Sequence, residues 1–349
     1  MTSATSSPSR QWILSSRPEG LLSKNNLQLV VNDEKYRPLR DGEVRVKNLL
    51  FQCAPTMRNW MAEPNNSLHR TIELGTAVQS LSASRIVESR NPNYPVGTRI
   101  VASSSWSEWD ILDLTATNPQ IIPEGISAVE SMGVLGLNTL TAYFGLTKIG
   151  KPVQGDTLVV SAAAGSVGSV VAQLGRHSGC RVIGIAGNDE KCEWLKRVCK
   201  IDETINYKDD DIKESLNSLC PDGVDIFFDN VGGKILQSVI ENMNKYGRII
   251  LCGQIGSYND PNGNFAPLNM MRLIYGSITM QGFLYSDFAD EIPSASNNLI
   301  ELIRSGELVV RKDIRNGFEN LPDVFNLLFN GSNKGTLLCE IHEDAHALR

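Results

Sequence analysis

Gly165-Ser166-Val167-Gly168 lie between a short apolar run, Leu158-Val159-Val160, and a segment where Val167, Val170, Val171 and Leu174 recur at helical spacing before Gly179. The run reads as a strand buried on both faces, and the repeat as a helix that Gly179 stops. A turn without bulky side chains lets backbone N–H groups approach an anion, and the positive end of the helix dipole favours it. The chemistry this allows is capture of a pyrophosphate. Against the pattern G-x-G-x-x-G, Ala163 takes the first position, and Gly165 and Gly168 take the other two. The match is partial, so the nucleotide reading leans on the segments that follow.

The next strand, Cys180–Ala186, ends where the form of the nucleotide is decided. A carboxylate there would hydrogen-bond the adenine ribose hydroxyls of NAD. The chain instead has Ala186-Gly187-Asn188-Asp189-Glu190-Lys191. Asp189 and Glu190 fall in the first turn of the following helix, where the dipole favours them. Lys191 is placed to neutralise a 2′-phosphate, so NADPH is the expected cofactor. Two later strands end in Asp229-Asn230-Val231-Gly232-Gly233 and in Cys252-Gly253-Gln254-Ile255-Gly256-Ser257-Tyr258-Asn259. Ligands of such sheets bind at the carboxyl ends of strands, so both stretches are expected to line the cofactor cleft. Asn259 to Asn269, with Pro261, Gly263 and Pro267, reads as a loop able to act as a lid.

These residues need a scaffold of alternating strands and helices. Strands are predicted at Thr204–Tyr207, Val224–Val231, Gly247–Cys252 and Ile278–Leu284. Helices are predicted at Asp189–Val198, Asp211–Leu219 and Lys234–Asn244. The succession predicts a parallel, doubly wound sheet in an α/β fold. Before it, Gln11–Leu14, Leu27–Val31, Glu43–Leu50, Leu81–Glu88, Thr98–Ala102 and Trp109–Leu112 read as short strands of a small β-barrel domain. Phe51 to His69, with Met57, Arg58, Trp60 and Met61, reads as a long loop with a helical turn, facing either a ligand or a satellite core. Trp106 to Trp109 is assigned to the substrate pocket with it. Glu130 to Lys148 reads as one apolar helical stretch broken by glycines. The expected organisation is a disordered tail over 1–10, a barrel domain over 11–128 and 312–349, and a nucleotide domain over 129–311.

Composition removes several classes. The chain has 349 residues, a formal charge of −6 and no basic block, so nucleic acid is not an expected partner. No apolar run reaches the ~20 residues that span a membrane. The opening MTSATSSPSR lacks the apolar core of a secretory signal. Seven irregularly spaced cysteines read as free thiols in a reducing compartment, which predicts a cytoplasmic location. There is no C-x-x-C pair. The four histidines do not cluster with cysteines, and His342-x-x-x-His346 lies in a polar tail, so no zinc site is expected.

The assembled pattern resembles the medium-chain dehydrogenase/reductase superfamily. It is most similar to the zinc-free branch of NADPH-dependent alkenal and double-bond reductases: prostaglandin reductase (leukotriene B4 12-hydroxydehydrogenase), bacterial curcumin reductases and plant alkenal reductases. The motifs are Met57-Arg58, Leu140 to Leu146, Ala162 to Gly168, Gly187 to Lys191, Asp229 to Gly233, Tyr258-Asn259, Gln281-Gly282-Phe283 and Gly317 to Asn320, spread from Gln11 to Glu340. The resemblance implies a GroES-like barrel domain, a Rossmann domain and a homodimer. It implies that Gly165, Ser166, Val167 and Gly168 bind pyrophosphate, and that Lys191 and Tyr207 hold the 2′-phosphate end. Asn230, Cys252 and Tyr258 would line the groove. Phe283, Leu284 and Tyr285 would run beside the nicotinamide, and Asn333 would reach it from the returning C-terminal segment. The chain departs from the family at Arg58-Asn59-Trp60-Met61, at Tyr285, one position early, and at Thr336, which replaces a lysine.

The reaction so implied is metal-independent reduction of the C=C bond of an α,β-unsaturated ketone or aldehyde. Hydride goes to the β-carbon, and charge builds on the carbonyl oxygen. Hydrogen-bond donors must meet that charge, and a donor must protonate the α-carbon. Tyr285 and Tyr258 are the candidates in the chain, beside the cofactor ribose hydroxyl or water. The alternatives are a quinone reductase, an NADP-dependent alcohol dehydrogenase, and a non-catalytic NADPH-binding sensor.

Overall fold

The computed structural model describes residues 9–32, 37–64, 70–115, 119–134, 136–259 and 269–348. The chain forms two compact units. One comprises 1–136, 313–332 and 337–349, and the other comprises 137–312 and 333–336.

The first unit is built on strands. A hairpin-like pair, β1 (Arg10–Leu14) and β2 (Leu27–Val31), runs antiparallel. The main sheet contains β3 (Glu43–Gln52), β4 (Gln79–Ser89), β5 (Arg99–Ser105), β6 (Trp109–Asp113), β7 (Gln120–Ile121), β14 (Lys312–Asn316) and β15 (Thr336–Glu340). Its order is β14-β15-β3-β4-β5-β7, and β6 pairs with β3. The long β3 makes this possible. One edge takes β4, while the other takes β6 along its first half and β15 at its end. The path is open; among the described residues no ladder closes it into a ring.

Several expectations for this unit change. Ser9 is buried, its hydroxyl donating to the Trp109 carbonyl at 3.3 Å, and β1 begins at Arg10, whose guanidinium pairs with Glu108. Ser9 and Arg10, inside the stretch expected to be a tail, are therefore ordered; residues 1–8 lie outside the described ones. The 51–69 stretch contains α1 (Met57–Trp60). Met57 and Met61 are fully buried in one cluster with Trp12, Phe51, Trp106 and Phe325. They and Trp106 serve as core, because apolar area removed from water outweighs any role at a surface. Arg58 is buried too, donating to the carbonyls of Gly20 (3.1 Å) and Pro18 (2.6 Å). Residues 65–69 are outside the description. A buried polar seam also crosses the sheet. Asn48 donates to Ser104 and to the Ser107 carbonyl and accepts from Ser84, while Asp110 accepts from Ser104 and the Ser105 N–H. Gln52 differs: it is 1 % exposed, and among the described residues neither atom of its amide has a hydrogen-bond partner.

The unit ends with α2 (Ala128–Val134), and the second begins with α3 (Leu137–Phe144). The expected single stretch is two helices, parted beside Gly136, where a Cβ would stand 2.2 Å from the Met132 carbonyl oxygen.

The second unit is a six-stranded sheet of β8 (Thr157–Val160), β9 (Arg181–Ala186), β10 (Glu203–Asn206), β11 (Val224–Asp229), β12 (Met243–Leu251) and β13 (Thr279–Gly282). The order is β10-β9-β8-β11-β12-β13, and every pairing is parallel. The chain moves outward from β8 to β10 and then restarts from β8 with β11. That reversal creates the switch point at which doubly wound sheets bind ligands. The intervening helices are α4 (Ser166–His177), α5 (Asp189–Trp194), α6 (Ile212–Leu219) and α7 (Gly233–Asn242). Their apolar faces close the core around Val159, Ile183, Phe227, Val239 and Ile249. Strand β12 starts at Met243, straight after α7, with a register irregularity against β11. Two later helices, α8 (Met270–Gly276) and α9 (Ile292–Arg304), were not expected; α10 (Leu321–Asn326) belongs to the first unit.

Candidate cofactor site

The turn from β8 into α4 is fixed before any ligand arrives. The Ser161 N–H donates to the Phe228 carbonyl (3.1 Å), Ala163 N–H to Ile185 (2.9 Å) and Gly165 N–H to Ala162 (2.9 Å). Ala162 is left-handed, with φ +47°. A Cβ on Gly168 would lie 2.4 Å from the Ala162 oxygen and 2.8 Å from Ala163 Cα, so the helix approaches the turn more closely than any side chain permits. Gly165 is the N-cap of α4 and no side chain caps the helix there. The N–H groups of a helix's first turn have no intrahelical acceptor, and this end of the helix favours an anion.

The residues around this turn come from far along the chain. Gly165 forms a parallel bridge with Gly335. Ser166 Oγ meets Thr336 Oγ1 at 2.6 Å and accepts from Asn138 Nδ2 at 2.7 Å. The Thr336 N–H donates to the Arg311 carbonyl at 2.8 Å. Thr336, a departure from the family pattern, thus places a hydroxyl against the turn. Asn333 begins the same short segment, its amide donating to the Gly335 carbonyl at 3.2 Å.

At the tip of β9, Asn188 caps α5 by accepting from the Lys191 N–H at 2.9 Å. Asp189 accepts from the Asn206 amide (2.9 Å) in the first turn of α5. Tyr207 packs edge-on to Gly187, where a Cβ would be 2.9 Å from its ring. Lys191 has its ammonium pKa lowered, first by burial and then by the charges of Lys208, Arg311 and Lys334, with Glu190 opposing. A group of cations pressed together in this way is relieved by an anion.

The ends of β11 and β12 form the other wall. Asp229 is buried and accepts from Ser161 Oγ (2.8 Å) and from the Val231 (3.0 Å) and Gly232 (3.1 Å) N–H groups; burial raises its carboxyl pKa against those bonds. Asn230 donates its amide to the Ser161 carbonyl at 2.7 Å. The Cys252 N–H donates to the Asp229 carbonyl at 2.9 Å, and burial with Asp229 nearby pushes its thiol up to about 12. A thiol with that pKa stays protonated at neutral pH and is no nucleophile. Tyr258 Oη accepts from the Gln254 N–H at 3.0 Å. A cavity of about 170 Å³ opens here, lined by Tyr207, Val231 to Ile235, Gln254, Gly256 and Ser257. Tyr207, Asn230, Cys252 and Tyr258 are therefore brought to one end of the sheet.

Phe283, Leu284 and Tyr285 follow β13. The Phe283 ring lies against Gly145, where a Cβ would be 2.4 Å from it, and edge-on to Phe228. Leu284 is 66 % exposed. Tyr285 is half-buried, and burial raises its phenol pKa. The expected lid, 259–269, lies outside the described residues except at its ends. Sequence reading missed Asn138, Arg311 and Lys334. Nothing local marks them: α3 sets Asn138 against Ser166, and the returning segment carries Lys334 and bonds to the Arg311 carbonyl.

The sheet order and the glycine turn at its switch point define a dinucleotide-binding α/β protein. Comparison with known proteins narrows this. Residues 166–303 match the family described as zinc-binding dehydrogenase, and residues 10–119 match the N-terminal domain of oxidoreductase. The chain is 35 % identical to an NADPH-dependent curcumin reductase of Escherichia coli (strain K12), over 96 % of this chain and 97 % of that protein. It is 34 % identical to a 2-alkenal reductase (NADP(+)-dependent) of Nicotiana tabacum, over 93 % and 95 %. The crystal structure of CurA in complex with NADPH from Vibrio vulnificus matches with a TM-score of 0.88 at 34 % identity, covering 96 % of this chain and 99 % of that one. The chain belongs to the medium-chain dehydrogenase/reductase superfamily, in its zinc-free branch of NADPH-dependent double-bond reductases.

The first family description names zinc. Among the described residues, no group of three or more His, Cys, Asp or Glu could hold a metal, so the donor set does not fit one. NADPH does fit: Gly168 leaves a cradle that a Cβ would fill, and cations gather beside Lys191. No helix is long and apolar enough to cross a membrane.

Proposed function

We propose that this chain reduces the C=C bond of α,β-unsaturated ketones and aldehydes with NADPH, as an oxidoreductase acting on CH–CH groups. The observation that carries the reading is the site itself: an anion-ready glycine turn, a cation group for a 2′-phosphate, and phenols with no metal-ligand set among the described residues. Similarity to a curcumin reductase and a 2-alkenal reductase supports it.

Bound NADPH supplies the hydride. The chain binds and orients: Gly165, Ser166, Val167 and Gly168 hold the pyrophosphate, and Lys191 and Tyr207 the 2′-phosphate end. Asn230, Cys252, Tyr258, Phe283 and Leu284 line the groove, and Asn333 contributes from the segment that meets the glycine turn. The enone oxygen gains charge as the β-carbon is reduced, and a phenol donates a hydrogen bond to it. Tyr285 suits that role, since its raised pKa keeps the proton in place throughout the neutral range. The α-carbon takes its proton from Tyr258 or water.

The test is an acceptor panel followed by NADPH oxidation in the presence of a chelator. Enones and enals are expected to turn over. Turnover confined to quinones marks a quinone reductase, and oxidation of alcohols by NADP+ alone marks an alcohol dehydrogenase. Tight NADPH binding with no turnover on any acceptor marks a sensor. Any of these three outcomes overturns the proposal.

The same reading includes a homodimer, in the cytoplasm, where the seven free thiols persist. Strand β13 is an edge of the parallel sheet. Beside it Met270, Met271, Ile274 and Tyr275 are exposed, Tyr275 at 77 %. A second copy meeting this edge would cover both the unpaired backbone and the apolar side chains. Sedimentation is expected to show a dimer for the natural sequence and a monomer for Ile274→Asp combined with Tyr275→Asp. A natural sequence that is monomeric at micromolar concentration removes the dimer.

A further inference from the structure

The segment 333–336 does more than press on the glycine turn. Gly335 has φ +85°, and a Cβ there would lie 2.3 Å from the Arg311 carbonyl oxygen, so the segment and Arg311 are locked together. The bridge to Gly165 and the Thr336–Ser166 contact fix its position. Lys334 is thereby carried to the first turn of α5, where its ammonium forms an ion pair with Glu190, the residue next to Lys191. The Arg311 guanidinium stands over the Trp194 ring, 5.2 Å from its centroid, on the same helix. The charges of Lys208, Arg311 and Lys334 all act on Lys191, and Glu190 is the carboxylate that opposes them there. Lys334 and Glu190 are both substantially exposed, so the pair is weakly held and exchangeable.

We propose that Lys334 is a second anchor for the 2′-phosphate of NADPH, held in place by Glu190 until the phosphate displaces that carboxylate. This rests on the NADPH reading of the Lys191 site. A phosphate monoester brings nearly two negative charges and three acceptor oxygens, against one charge on Glu190. Lys334 therefore gains by the exchange, and Glu190 competes with the ligand. NADH has no 2′-phosphate and leaves the pair intact. Specificity for the phosphorylated cofactor is thus shared between α5 and a segment more than 140 positions further along the chain.

The experiment is fluorescence titration of the whole protein with NADPH, NADH, adenosine 2′,5′-bisphosphate and 5′-AMP, for the natural sequence, Lys334→Met, Glu190→Gln and Lys191→Ala. Lys334→Met is expected to weaken NADPH and the bisphosphate by about tenfold, as loss of one charge-assisted hydrogen bond does. It should leave NADH and 5′-AMP within about twofold. Glu190→Gln is expected to tighten NADPH by a few fold without affecting NADH. If Lys334→Met leaves NADPH binding unchanged while Lys191→Ala weakens it, the Lys334 proposal fails and the NADPH reading stands. If Lys191→Ala also leaves NADPH and NADH indistinguishable from the natural sequence, the 2′-phosphate reading fails with it. Equal weakening of NADPH and NADH by Lys334→Met would assign the residue to holding the segment, and overturns the proposal. Thermal melting of each variant separates loss of fold from loss of affinity.

Discussion

Gly168→Ala is expected to weaken NADPH binding by about a hundredfold, because about 1 Å of displacement of positioned groups has effects of that order. The added Cβ meets the Ala162 oxygen at 2.4 Å, Ala163 Cα at 2.8 Å and the Ala162 carbonyl carbon at 2.9 Å. All three are backbone atoms, so no side chain can rotate out of the way. The turn cannot yield easily either. Ala162 is already left-handed, and hydrogen bonds to Phe228 and Ile185 tie the turn to β11 and β9. The helix must therefore lift, taking the N–H groups of its first turn out of reach of the pyrophosphate. Overpacking of this kind costs about 1–3 kcal/mol in stability as well. Gly165→Ala is the control. Its Cβ meets a single atom, the Ala162 oxygen at 3.0 Å, so the loss should be only a few fold. Titration of NADPH fluorescence and thermal melts check both. A Gly168→Ala protein that binds NADPH with natural affinity would show that the pyrophosphate lies elsewhere.

Asp229→Ala is expected to cost about 3 kcal/mol of stability, since each donor left unpaired in a buried place costs about 1–3 kcal/mol. The donors are Ser161 Oγ and the backbone N–H groups of Val231 and Gly232. For a unit of this size that lowers the melting temperature by roughly 10 °C. The carboxylate itself is held at a cost, because burial raises its pKa. The sign of the pH dependence follows. The folded form keeps its proton at a pH where the unfolded chain has released it. The resulting stabilisation is fully present below the ordinary carboxylate range and is lost as pH rises through the raised folded value. Asp229→Asn, which does not ionise, should therefore gain on the natural sequence across that window. Denaturant melts of both proteins at several pH values test it, and parallel stability curves would contradict a buried, ionisable Asp229.

The sheet of the second unit was legible because β8, β9 and β11 are short apolar runs closed by turn signals, and α4 repeats its apolar residues at helical spacing. The strand tip was legible for a related reason: Asn188 caps and Asp189 begins a helix, which local chemistry alone prescribes. Long-range pairings were not legible. Arg58 reads as a motif residue in a polar loop, yet it is buried against the carbonyls of Pro18 and Gly20, which no spacing rule connects to it. Met57 and Trp60 were equally compatible with a ligand or a core, and Met57 is buried in the core with Trp60 packed against it, while Trp106, expected at the pocket, is buried in the same core. Thr336 looked like a lost lysine, but its hydroxyl meets Ser166, a contact that exists only because the chain returns. Helix α8 has only seven residues and directly follows the Pro- and Gly-rich stretch 259–269, so no long apolar repeat marks it. The α9 pattern is amphipathic and begins with Pro293 in its first turn, a start signal that was available.

The route of the backbone has a consequence for how the protein is made. Strand β3 pairs on one side with β4, which leaves the ribosome soon after it, and on the other with β15, in the register Leu338 with Gln52. Four residues between those late segments belong to the other unit, where they sit on its glycine turn. Neither unit can finish folding before residues 333–340 have been made. Until then β3 lacks one partner and the glycine turn lacks its brace. A chain cut before Asn333 would therefore lose a partner of the first unit's long strand and the brace of the nucleotide turn together.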